Sequence, residues 1–124
     1  MPTVLLIVIA LLASSVALGM FLGWRYLRQL PAKPVLVGVH ILLGLAGLKW
    51  MVIDLLWRTP EGTALHSVGY AAALLLAAAL LSGLLAPVLA GPQPAARGGP
   101  VAQVLHAGVG LAGFALFIVW ATNL

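Results

Sequence analysis

The stretch HILLGLAGL (His40–Leu48) places one imidazole and two glycines in an otherwise aliphatic run. No charge interrupts it, and it belongs to a longer apolar segment, Pro34–Trp57. Three further segments of the same kind flank it: roughly Thr3–Trp24, Ala64–Ala90 and Val101–Thr122. Each is close to or above the ~20 residues that a helix needs to cross ~30 Å of hydrocarbon. Of the 124 residues, 64% are hydrophobic and 6% charged, a balance with too little polar surface to cover a water-soluble globule. Lipid offers no partner to an unpaired peptide group, so the spans are helical. The expected fold is therefore an all-α membrane protein, a single domain over residues 1–124 built as a four-helix up-down bundle.

The breaks between spans are short and carry turn residues: RQLPAKP (28–34), RTPEGT (58–63) and GPQPAARGGP (91–100). Short connections make successive helices antiparallel neighbours. The first span lacks the basic leader of a cleaved signal peptide, and its Arg25 and Arg28 follow the apolar run, as suits a retained span. Arg25, Arg28, Lys33 and Arg97 share one side of the bundle, whereas the second loop balances Arg58 against Glu61. The positive-inside rule puts the first side in the cytoplasm and both termini outside, in a membrane of the bacterial inner (cytoplasmic) type. The net charge of +4 is thus explained by topology and anionic headgroups, and no basic-aromatic motif points to nucleic acid. With no cysteine there is no disulfide framework, thiolate zinc site or cysteine-ligated iron–sulfur cluster. Serine-hydrolase and nucleotide-binding motifs are absent as well.

Sixty-six residues after His40 the string returns as HAGVGLAGF (His106–Phe114). Both histidines lie about six residues inside their spans from the cytoplasmic side, at ~1.5 Å per residue, so they are level. In a sequential bundle their helices are diagonal, and two level side chains pointing inward approach the axis from opposite sides. Gly44 and Gly47 share the face of His40, as Gly110 and Gly113 share that of His106. Counting to the same depth in the other two spans reaches Gly19 and Gly83. Every helix then has a glycine near the histidine level, room for a large flat object. Small residues also serve close helix packing, and Ser15, Gly19 and Gly23 fit that pattern without any cofactor.

Level, diagonal imidazoles are the ligand set of a bis-histidine haem b. In this respect the chain resembles membrane b-type cytochromes, the group that includes cytochrome b561 and the b subunits anchoring respiratory enzymes. The resemblance rests on His40, Gly44, His106 and Gly110. It implies one haem b held by His40 and His106, glycines beside the porphyrin, and an electron-transfer role in a larger redox complex. Members of that group often carry two haems, but here only His66 lies near the outer side.

On the face of His40, Met51, Asp54 and Arg58 continue towards the outer surface, where His66 begins the third span. Asp54, Arg58 and His66 are candidates for a quinone or proton site. The simpler expectation is an i,i+4 ion pair between Asp54 and Arg58, with His66 supporting the turn. Lys49 points away from this face and snorkels. Trp24, Trp50, Trp57 and Trp120 are expected in interfacial belts. The rival functions are a cofactor-free accessory membrane subunit and a small transporter using His40, His66 and His106. The partners expected are membrane lipids, subunits of a redox complex and a quinone.

Overall fold

A computed structural model describes residues 3–90 and 98–124. It contains four helices, α1 (Thr3–Leu27), α2 (Pro34–Arg58), α3 (Ala64–Ala90) and α4 (Gly98–Thr122), and no strand among the described residues. All four are long and apolar enough to cross a membrane. The chain is a multi-pass, all-α membrane protein whose helix surfaces face lipid.

Helix boundaries follow local chemistry. α1 runs one turn further than hydropathy suggests, through Arg25 to Leu27, because its end is closed by hydrogen bonds rather than by loss of apolar character. The amides of Gln29 and Leu30 donate to the carbonyls of Tyr26 and Arg25, with Gln29 at a φ of 56°. This is a Schellman closure with glutamine at the left-handed position. Arg25 then donates to Pro31 O at 2.9 Å, tying the side chain to the loop. Pro34 opens α2, where its missing N–H costs nothing. Between α2 and α3, Gly62 takes a φ of 83°, and the Thr63 hydroxyl accepts from the amide of His66 at 3.1 Å, capping α3. α4 begins at Gly98, three residues before the apolar run. Arg97 and most of the GPQPAARGGP loop lie outside the described residues.

The helices form a ring in which α1 and α3 each touch α2 and α4, and the diagonal pairs make no backbone contact among the described residues. Contact is richest within the hairpins α1–α2 and α3–α4. The hairpins are pseudo-repeats. His40, Gly44, Gly47, Met51 and Asp54 correspond to His106, Gly110, Gly113, Phe117 and Trp120, each sixty-six positions on. Leu12, Ser15 and Gly19 correspond to Leu76, Ala79 and Gly83, sixty-four positions on.

Packing is uneven along the bundle axis. Leu5, Val8, Leu12, Met51, Leu55, Ala72, Phe117, Trp120 and Ala121 form one core at the end where α1 begins and α4 finishes. Trp120 corrects the interfacial expectation: it is fully buried, against Phe117 and in the space left by Gly69. Its position near a helix end set its depth, while its place on the inward face decided its burial. In the other half, which holds His40 and His106, the only buried apolar residues among those described are Ala79 and Ala102. Among the described residues no large apolar side chain is buried in that half.

Candidate functional site

His40 and His106 project from diagonal helices into this sparsely packed half. Their ring centroids are 5.9 Å apart and the ring planes are inclined at 89°. Both rings are half-buried.

Each is fixed from behind by the other helix of its own hairpin. Nδ1 of His40 meets Ser15 O at 2.8 Å, and Nδ1 of His106 meets Ala79 O at 2.7 Å. A carbonyl only accepts, so both Nδ1 atoms carry the hydrogen. That assigns the tautomer and leaves a lone pair on each Nε2. Neither Nε2 has a hydrogen-bond partner among the described residues.

Gly19 and Gly83 make these bonds possible. A Cβ at Gly19 would stand 2.8 Å from Cε1 of His40, and one at Gly83 would stand 2.7 Å from Cε1 of His106. Each glycine is one turn after the accepting carbonyl, so its bare face lets the imidazole lie down against the helix. The room opened there is filled by the imidazole itself.

The remaining glycines serve the hairpin seams. A Cβ at Gly44 would meet Ser15 Oγ at 3.2 Å, one at Gly47 would meet Leu12 Cδ2 at 2.6 Å, and one at Gly110 would meet Ala79 Cβ at 3.5 Å. At Gly113 it would come within 3.0 Å of the backbone nitrogen of Leu76. These four positions therefore bring α2 onto α1 and α4 onto α3, the close-packing role of small residues in membranes.

Two serines accompany the histidines and carried little signal in the sequence. Ser15 Oγ donates to His40 O at 3.1 Å and lies 3.3 Å from His40 Nδ1. Ser82 Oγ donates to Ala79 O at 3.0 Å and lies 3.4 Å from His106 Nδ1. The spacings Ser15–Gly19 and Ala79–Gly83 were the available clue, since a small residue one turn before a glycine exposes its carbonyl.

The arrangement fits two-coordinate capture of a metal centre. Imidazole nitrogens bind transition metals at about 2 Å, so rings sharing one ion along a common axis stand about 6 Å apart, centre to centre. The 5.9 Å between the ring centres is of that size. Among the described residues no group of three His, Cys, Asp or Glu side chains comes together. Tetrahedral zinc is short of ligands here, whereas a macrocycle that brings its own equatorial nitrogens needs only two.

The residues towards the opposite end of α2 and the start of α3 behave differently. Asp54 is buried and accepts from Arg58 Nε at 2.5 Å, the i,i+4 pair anticipated from the sequence. Its Oδ2 is buried without a partner among the described residues. His66 Nδ1 donates to Thr59 O at 3.1 Å and its ring stacks near Tyr70, so it braces the turn between α2 and α3. No hydrogen bond or ion pair joins His66 to Asp54 or Arg58 among the described residues. Met51 is fully buried in the core, and Lys49 is exposed beside Trp50.

Fold and site together define a four-helix membrane protein with two neighbouring, backbone-anchored histidines on pseudo-equivalent hairpins. No family model matches the chain, and no curated protein or solved structure matches it either.

Proposed function

We propose that the chain is a membrane electron carrier that binds one haem b through His40 and His106. The observation that carries the reading is the pair of imidazoles 5.9 Å apart, each with Nδ1–H committed to a carbonyl. The thinly packed half around them supports it, because a large apolar group there supplies the core that the side chains do not. Bound haem contributes reversible one-electron chemistry at iron.

The residues of the chain supply the rest. Ser15 O and Ala79 O hold the rings in one rotamer and tautomer and raise the basicity of Nε2. Gly19 and Gly83 admit the rings. The terminal core keeps the hairpins together independently of the site. An electron carrier of this kind exchanges with partners outside the chain, so we place it in a larger redox assembly, with a quinone as an exchange partner. The loop basic residues orient the histidine half towards the cytoplasm.

One observation favours a second reading. Gly44, Gly47, Gly110 and Gly113 are all explained by packing within the hairpins, which an accessory subunit without cofactor would share. A reduced-minus-oxidised spectrum of the chain purified after expression with ample haem separates the two. Sharp b-type bands are expected; a featureless spectrum supports the packing role.

A further inference from the structure

The two imidazoles are held alike but not identically. On α1, Ser15 presents its own carbonyl to His40 Nδ1–H, while its hydroxyl proton goes to a different oxygen, His40 O. On α3, Ala79 presents the carbonyl to His106 Nδ1–H, and the hydroxyl of Ser82 donates to that same oxygen. The pseudo-repeat shows the origin of the difference. Ser15 corresponds to Ala79, and Ser82 corresponds to Leu18, so the serine beside each histidine stands at a different step of the turn.

An oxygen already receiving an O–H bond has less electron density for a second donor. Hydrogen bonding at Nδ1 sets how strongly the other ring nitrogen donates to a metal, so this difference passes directly to Nε2. We propose that Ser82 is a positioning residue that makes His106 the weaker of the two histidine donors, which would raise the reduction potential of a centre held between them. The inference rests on the haem reading and adds to it an electronic asymmetry between the hairpins. Both hydroxyl oxygens stand at nearly the same distance from their Nδ1, 3.3 Å and 3.4 Å, so the destination of the hydroxyl proton is what differs.

The test is redox titration of the purified, haem-loaded chain with Ser82→Ala and Ser82→Thr, alongside Ser15→Ala. Ser82→Ala frees Ala79 O to accept more strongly from His106, so the midpoint potential falls while haem content and the low-spin spectrum stay as in the parent. Ser82→Thr keeps the hydroxyl and restores the parent potential. Ser15→Ala removes a neighbour of His40 Nδ1 and frees His40 O, but leaves the carbonyl that accepts from His40 Nδ1 as it was, so its potential does not fall. A Ser82→Ala chain that is fully loaded and low-spin, with an unchanged or raised potential, overturns this inference alone. A parent chain that takes up no haem overturns it together with the haem reading.

Discussion

His106 donates from Nδ1 to the carbonyl of Ala79 at 2.7 Å, across the bare face of Gly83. The same relationship joins His40 to Ser15 across Gly19, so one device is used twice.

Adding a methyl at Gly83 or Gly19 should therefore be felt at the histidine before it is felt by the fold. The ring is pinned through Nδ1 and cannot simply swing away from the new Cβ. Overpacking of this kind costs about 1–3 kcal/mol. Gly83→Ala and Gly19→Ala are expected to lose haem affinity, read by titration of the apoprotein. Gly38→Ala and Gly108→Ala, where a Cβ meets nothing within 4 Å, should bind as the parent does. Equal loss in all four variants would contradict the assigned roles.

The 89° between the rings has its own signature. Axial imidazoles with crossed planes leave two iron d orbitals nearly degenerate, which gives a strongly anisotropic low-spin ferric resonance. Parallel planes give a more rhombic one. Electron paramagnetic resonance of the oxidised chain should show the strongly anisotropic type, and a rhombic spectrum would mean that the rings rotate on loading.

Much of this was open to reading in the sequence, for physical reasons. Hydrocarbon thickness fixes span length, so four apolar runs sufficed for the bundle. A constant helical rise made His40 and His106 level before any coordinates. The same arithmetic found Gly19 and Gly83 but not what lies against them, because depth says nothing about which neighbour occupies a bare face. The accepting carbonyls of Ser15 and Ala79 were hidden since every residue has one. Trp120 was placed by its distance from a helix end, although its repeat partner, Asp54, was already assigned to the inward face.

Asp54 and Arg58 give a prediction independent of any cofactor. Removing Arg58 strands a buried carboxylate that already has one unpartnered oxygen, and lost charged hydrogen bonds cost about 1–3 kcal/mol or more. The partly exposed arginine keeps the effect at the lower end. Arg58→Leu should lower the thermal midpoint in detergent, and adding Asp54→Leu should recover most of it. A double variant less stable than Arg58→Leu would show that the carboxylate has another partner.

The basic residues around the first connection, RQLPAKP (28–34), make the proposed orientation testable. A cysteine at Ala32 should be shielded from a membrane-impermeant reagent on intact cells, and one at Glu61 should react; both positions are exposed. The reverse pattern would put the histidine half near the outer face and make an external redox partner the natural one.

The central claim is that His40 and His106 together ligate one haem. Haem content and spin state, measured on the purified parent and on His40→Ala, His106→Ala and the double variant, test it most directly. One low-spin haem per chain is expected in the parent, loss of the low-spin spectrum in either single variant, and no specific loading in the double variant. A six-coordinate, fully loaded spectrum surviving in both single variants would contradict it.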